Sequence, residues 1–227
     1  MPLDQPITPL SLVDQTFERI ADAIVIGEIQ PGERIREATL AQKLGVSRGV
    51  LREAMQRLEG RKIVSRTSNI GVHVIKLTQG DLFELYTLRE ALEGMAARLA
   101  ATNMTDAEIS DLRTLLSVHE SHEDLKHGES YFQRADDEDF HFCIARGAGN
   151  ARLEQALCDE LYYQLRLYRY RSSTRAGRAK QAFAEHNAIV DAIASRDPDR
   201  AEAVMRKHLV NARENISWNA NWKPVAA

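Results

Sequence analysis

A stretch of 34 residues near the N-terminus, Pro31–Val64, constrains the fold more than any other part of the chain. Two short amphipathic helical patterns are joined there by a turn centred on Gly45, which allows the left-handed backbone that ends a helix. Ser47 stands where it can cap the second helix, and apolar residues recur along that helix at Leu51, Ala54, Met55 and Leu58. The pattern predicts a helix-turn-helix, whose second helix enters the major groove of DNA.

Basic side chains concentrate in the same part of the chain. Residues 34–66 carry nine Lys or Arg and three acidic residues, although the whole chain has a formal net charge of −3. Arg48 and Arg52 are four residues apart and therefore lie on one face of the second helix, next to its start. A basic segment in a mildly acidic protein is typical of phosphate binding, while a solvated helix surface with mixed charges is the alternative interpretation.

A short β-hairpin is predicted directly after the second helix. Two β-branched runs, residues 63–64 and 72–75, are separated by polar residues and Gly71. A hairpin in this position is the wing of a winged helix-turn-helix. The pattern changes near Leu77, so we assign residues 1–77 to a DNA-binding domain and residues 78–227 to a second domain.

The second domain is predicted to be an all-helical bundle, which makes the protein mainly α. Breaks in the periodicity divide it into six helices, at residues 80–101, 106–126, 129–146, 151–171, 178–195 and 198–218. No apolar run approaches the ~18–20 residues that a membrane span needs. The two cysteines, Cys143 and Cys158, lie within helical patterns, so we expect a reduced, cytoplasmic setting.

Three histidines and one aspartate of this domain form a candidate metal site. Asp137 and His141 are four residues apart and project from one helix face. His186 and His208 lie on two later helices, on or beside apolar stripes that should face the bundle interior. These side chains together would bind a first-row divalent cation, although each histidine alone is more simply a core or surface residue. In contrast, we expect His119, His122 and His127 to occupy a solvated, acidic helix face.

Arg89 interrupts the apolar stripe of the first helix in the second domain. A buried arginine costs free energy unless it is paired. Glu93, four residues later, is one possible partner. Alternatively, the guanidinium holds the carboxylate of a ligand. The sequence leaves both interpretations open.

These motifs together resemble the GntR family of bacterial transcription regulators, in the branch with an all-helical FCD effector domain. The resemblance runs from about Val13 to Asn215, and six helices are similar to the VanR subgroup rather than the seven-helix FadR subgroup. It is carried by PGERIRE, LAQKLGVSR, LREAMQRLE, the wing sequence GVHV, LREALE at 88–93 and DEDFHFCIARGAGN at 137–150.

The resemblance implies particular ligand residues. Members of this branch bind zinc, nickel or manganese through positions that correspond to Asp137, His141, His186 and His208. They contact DNA through positions that correspond to Ser47, Arg48, Arg52 and Gly71, and Arg36 is a weaker candidate. Relatives usually follow Ser-Arg with Thr-Pro or Thr-Thr, whereas Gly49 and Val50 stand at these positions. A hydroxyl that could hold a phosphate is therefore missing.

The expected protein is a homodimer that binds an inverted-repeat DNA operator. We expect a repressor that is released when a small organic acid binds at the metal, with Arg89 neutralising a second acidic group. Asn211 lies one turn beyond His208 and is a further candidate contact for this effector. A regulator that senses the metal itself is the alternative. We do not expect a metal-dependent enzyme, because no candidate base stands out near the four ligands and the winged domain would then have no purpose.

Overall fold

The computed structural model describes residues 11–68, 70–76, 78–120, 139–173 and 178–215. The chain divides into two compact units, with the boundary between residues 76 and 77. The described residues are mainly helical and include one three-stranded sheet. No described helix is long and apolar enough to cross a membrane.

Three helices form most of the first unit: α1 (Leu12–Val25), α2 (Glu37–Leu44) and α3 (Arg48–Gly60). A capping box between Ser11 and Asp14 begins α1, whose apolar face packs against α3. Gly45 ends α2 with a φ of +66°, as the turn between the two helices requires. The predicted helix-turn-helix is therefore present.

The sheet of the first unit consists of β1 (Arg34–Ile35), β2 (Val64–Thr67) and β3 (Gly71–Val74). The strands are antiparallel in the order β1-β3-β2, with Val64 opposite Val74. The predicted hairpin corresponds to β2 and β3. The sequence did not indicate β1, because two residues are too few to show an alternating pattern.

The second unit is a bundle of helices. Its described α-helices are α4 (Gln79–Asn103), α5 (Asp106–Glu120), α6 (Phe140–Gly147), α7 (Ala151–Glu154), α8 (Tyr162–Ser173), α9 (Arg178–Ala194) and α10 (Pro198–Asn215). Helix α4 packs along α10, and α10 packs along α9. Helix α6 lies against α4, so one part of the bundle brings α4, α6, α9 and α10 together.

The prediction of one continuous helix over residues 151–171 is wrong. A π-helical segment, Gln155–Glu160, separates α7 from α8, and the Leu161 amide donates to the Ala156 carbonyl, five residues earlier. Buried leucines recur here at a spacing of four or eight residues, at Leu153, Leu157 and Leu165. A spacing of four drifts around an α-helix of 3.6 residues per turn, and a wider turn offsets that drift.

Two further predicted helices, at residues 106–126 and 129–146, fall partly on residues 121–138, which lie outside the described part of the chain.

Candidate metal centre and nucleic-acid interface

The start of α3 presents the side chains that the sequence assigned to DNA. The Ser47 hydroxyl accepts a hydrogen bond from the Val50 amide at 3.2 Å and caps the helix. The opposite face of α3 is buried through Leu51, Ala54, Met55 and Leu58. Arg48 and Arg52 are exposed. The cap and the buried face therefore fix the helix so that both guanidinium groups face outward.

The other two predicted DNA contacts lie near this helix in the sequence and belong to the same unit. Arg36 is exposed and directly precedes α2. Gly71 begins β3 with a φ of +103°, a conformation that residues with a side chain rarely adopt. Asn69, which comes between the two wing strands in the sequence, lies outside the described residues.

Some basic residues of this segment are engaged within the chain, and Arg57 and Arg66 are two examples. Arg57 forms ion pairs with Asp14 on α1 and with Glu53, one turn earlier on α3. The pKa of Asp14 is lowered, first by its hydrogen bonds with Ser11 and then by Arg57.

Arg66 on β2 contacts Glu37 at 2.7 Å and Glu59 at 3.8 Å, so it ties the wing to α2 and α3. The side chains of Arg57 and Arg66 are 46% and 43% exposed, so these ion pairs add little stability. They do neutralise part of the basic charge that the sequence count assigns to DNA.

In the second unit, three predicted metal ligands come together from three helices. His141 on α6, His186 on α9 and His208 on α10 are all buried. One possible ligand atom from each lies within 4.8 Å of the other two. The ring centroids are 5.3 Å apart for His141 and His186, 5.2 Å for His141 and His208, and 4.7 Å for His186 and His208. Asp137, the fourth predicted ligand, lies outside the described residues.

A carboxylate lies beside the Nδ1 atom of two of these histidines. Glu93 Oε2 on α4 is 2.7 Å from His141 Nδ1, and Glu185 Oε2 on α9 is 2.7 Å from His208 Nδ1. A carboxylate next to one ring nitrogen of a histidine is typical of metal sites, because it orients the ring and leaves the other nitrogen for the metal. Neither glutamate was assigned to the metal site from the sequence.

The remaining surroundings of the histidines are largely apolar. Phe140 stacks on His186 with ring centroids 4.3 Å apart, and Phe183 meets the same imidazole edge to face. Asp139 caps α6 by accepting hydrogen bonds from the amides of His141 and Phe142. The site therefore combines three converging imidazoles with aromatic rings against His186, and imidazole ligands suit a divalent first-row transition metal.

Arg89 forms the buried ion pair that was one of its two interpretations. Its side chain is 1% exposed, and its Nε lies 2.6 Å from Glu93 Oε1. Burial alone lowers the pKa of Arg89, but the charge of Glu93 and the hydrogen bond to it outweigh this effect and raise the pKa. Arg89 Nη1 has no hydrogen-bond partner among the described residues, so its two N–H groups remain for a ligand.

Asn211, the second predicted effector contact, donates a hydrogen bond from Nδ2 to Glu185 Oε1 at 2.8 Å. Its side chain is half-buried, one turn from His208. Asn211 is therefore joined to the histidine cluster through Glu185.

The prediction that His119 lies on a solvated face is wrong. The side chain is 3% exposed, because it continues the buried stripe of α5 formed by Ile109, Leu112 and Leu116. The acidic neighbours in the sequence concealed this periodicity. His122 and His127 lie outside the described residues.

Sequence models of two protein families match this chain. The model described as "Bacterial regulatory proteins, gntR family" matches residues 12–74, and the one described as "FCD domain" matches residues 84–211. Together they define a class of DNA-binding transcriptional regulators with a helical effector domain. The chain belongs to the GntR family and carries an FCD domain.

Individual relatives agree with this assignment. The Nta operon transcriptional regulator of Aminobacter aminovorans is 40% identical over 124 residues, which cover 55% of this chain and 58% of that protein. A Paenarthrobacter nicotinovorans protein named "Probable D-xylose utilization operon transcriptional repressor" is 29% identical over 89% of this chain and 88% of its own length. A GntR regulator structure from Rhodococcus sp. RHA1 has a TM-score of 0.70 at 25% identity, covering 91% of this chain and 97% of that one.

These findings confirm the predicted family, the mainly helical fold and the general function. The protein is a DNA-binding transcriptional regulator, and its relatives are regulators rather than enzymes, as expected. Some relatives are named repressors.

Proposed function

We propose that this regulator binds a divalent metal ion through Asp137, His141, His186 and His208, and responds to a small organic acid that binds next to it. The observation that carries the proposal is the set of three buried imidazoles with ligand atoms within 4.8 Å of one another. The carboxylates beside two of the Nδ1 atoms support it. Zinc, nickel and manganese all accept imidazole and carboxylate ligands, so the donor set fits each of them.

The metal would supply a positive charge and open coordination positions for a carboxylate group. Arg89 supports an acidic ligand, because its guanidinium is charged and its Nη1 has no partner among the described residues. Asn211, held by Glu185, supplies a polar contact one turn from His208. The effector is therefore a small organic acid with at least one carboxylate.

In this proposal, residues 1–77 bind the operator, and residues 78–227 bind the metal and effector and carry the dimer contacts. Arg48 and Arg52 contact bases near the capped start of α3, while Arg36, Ser47 and Gly71 contact the DNA backbone.

A homodimer on an inverted repeat follows from the symmetry of such operators. Leu88 and Met95 support it, because they lie seven residues apart, and therefore on one face of α4, and are 43% and 40% exposed. An exposed apolar face of this kind is typical of an interaction surface.

The protein acts as a repressor that the organic acid releases from DNA. The acid changes operator affinity only if it binds the DNA-bound and free forms of the regulator with different affinities. A regulator that senses the metal itself predicts instead that removing the metal switches DNA binding and that no carboxylate adds to the effect.

The first experiment is to measure the metal content of protein purified without chelator or histidine tag. We expect about one equivalent per chain, since the cluster has one set of ligands. The His208→Ala variant should lose this metal, and the His73→Ala variant, altered on the wing strand β3, should keep it. Little metal in the wild type, with none regained on dialysis against zinc, nickel or manganese, would rule out the metal centre.

The second experiment measures operator affinity of metal-loaded protein with a panel of small mono- and dicarboxylates. DNA from the region upstream of the gene, containing an inverted repeat, is the probe. At least one carboxylate should weaken binding, and Arg89→Lys should reduce its effect. If no carboxylate changes the affinity while metal removal does, the metal is the effector.

A further inference from the structure

Glu185 occupies a position that links both parts of the proposed site. It lies on α9 directly before His186, and its side chain is 15% exposed. One oxygen, Oε2, lies 2.7 Å from His208 Nδ1, and the other, Oε1, accepts a hydrogen bond from Asn211 Nδ2 at 2.8 Å. A single carboxylate therefore bridges a proposed metal ligand and a proposed effector contact on α10.

The contact with Glu185 bears on which nitrogen of a neutral His208 carries the proton. An ionised carboxylate only accepts hydrogen bonds, so the proton between the two groups belongs to His208 Nδ1. A neutral imidazole carries one proton, and Nε2 therefore keeps its lone pair. The contact with Glu185 thus selects the tautomer in which Nε2 can bind a metal.

We propose that Glu185 is a positioning residue that fixes the tautomer and orientation of His208 and connects it to Asn211. This inference rests on the metal centre of the proposed function. It adds a residue that has no local signal in the sequence, since 23 positions separate Glu185 from His208. The connection also means that a ligand that displaces Asn211 from Glu185 alters the surroundings of a metal ligand.

Two variants of Glu185 separate positioning from charge. Glu185→Met removes both acceptor oxygens at similar length, so Nδ1 of His208 is left without its partner. Glu185→Gln removes the charge but keeps one carbonyl oxygen for His208 Nδ1, and its amide can face Asn211 Oδ1 if that side chain turns over. Glu202→Met is the control, because it removes a carboxylate of α10 that pairs with Arg98 and Arg206 instead.

The measurement is the affinity for Zn²⁺ alone, by competition with a chromogenic chelator. Removing the carboxylate partner of a metal ligand typically weakens metal binding about 10- to 100-fold, which we expect for Glu185→Met. Glu185→Gln should bind Zn²⁺ substantially more tightly than Glu185→Met, and Glu202→Met should match the wild type. Equal weakening in both Glu185 variants, or wild-type affinity in Glu185→Met, would overturn the positioning role.

A measurement on metal-free wild type needs no stable variant. Long-range ¹H–¹⁵N correlations of histidine-labelled protein, assigned with His208→Ala, report which nitrogen of His208 carries the proton. The proposal requires a proton on Nδ1, whether or not Nε2 is also protonated, and the Nε2–H form with a bare Nδ1 would refute it. If wild-type protein binds no metal, the metal centre fails. If it binds metal but His208 is in the Nε2–H form, only the role of Glu185 fails.

Discussion

Replacing Arg48 with alanine should weaken the salt dependence of DNA binding, whereas replacing Arg57 should leave it unchanged. Both arginines belong to α3, but only Arg57 is held by carboxylates, those of Asp14 and Glu53. When a protein neutralises one phosphate fewer on B-DNA, the slope of log K against log salt becomes shallower by about 0.9. Raising the salt from about 50 to 200 mM weakens the binding of both proteins. The variant's loss of affinity should be roughly 3- to 4-fold smaller than the wild type's for each phosphate contact removed.

The assay is fluorescence anisotropy on a duplex of random sequence, where contacts to phosphate dominate and no operator need be known. Arg48 is proposed to contact bases in the operator, but random DNA offers no matching base, so its guanidinium should contact phosphate there. The slope should fall for Arg48→Ala by about 0.9 for each winged unit bound, or twice that for a dimer. Arg57→Ala is the matched control, and thermal melts establish that both variants fold. Equal changes in the two slopes, or a change only in Arg57→Ala, would refute the division of basic residues into DNA contacts and internal ion pairs.

Three other predictions concern stability. Gly49 has ordinary backbone angles and room for a Cβ. Gly49→Ala should therefore raise the free energy of unfolding by up to ~1 kcal/mol, as measured by urea titration. A lower free energy of unfolding would show that the free protein needs glycine at this position. Glu93→Leu leaves the buried guanidinium of Arg89 unpaired and should cost about 3–5 kcal/mol by the same assay, and a near-neutral effect would contradict a charged Arg89. The pKa of Asp81 is lowered by its hydrogen bonds with Thr78, so its stabilising contribution is complete above its ordinary pKa of about 4 and is lost as the pH falls through the lowered value. Thr78→Ala should therefore lose less stability than wild type on acidification, and parallel pH profiles would contradict this.

Local signals were sufficient to predict the helix-turn-helix of the first unit. The turn glycine, the serine cap and the apolar spacing of α3 act within a few residues of one another, and the structure contains each of them. The contacts of Arg57 with Asp14 and of Arg66 with Glu37 escaped prediction because these partners are 43 and 29 positions away. The pair between Arg57 and Glu53, four residues apart, was accessible from the sequence. Counting charges along the sequence cannot distinguish a cation that is available to DNA from one that is paired.

The histidine cluster shows a different limit. Helical periodicity placed His141, His186 and His208 on inward-facing stripes, but only packing of α6, α9 and α10 determines that the stripes meet. Glu93 was identified as a partner of Arg89 because it is one turn away, whereas its contact with His141 depends on tertiary structure. Local pairs were therefore accessible from the sequence, and pairs between helices were not.

The histidine cluster of His141, His186 and His208 should make the second unit less stable than an apolar core would, and this cost in folding free energy can be tested. Buried imidazoles and charges stabilise a core less well than apolar side chains of similar volume. His186 lies against Phe140 and Phe183, so His186→Leu should fold with equal or greater stability in the absence of metal. Zn²⁺ at a hundredfold excess over its dissociation constant should stabilise the wild type by about 2.7 kcal/mol. His186→Leu should lose most of this gain, because one of the ligands is missing. The opposite result is a variant that is destabilised without metal and still gains as much stability from Zn²⁺ as the wild type. His186 would then be a structural core residue, and the bundle would need its histidine cluster for folding rather than for metal binding.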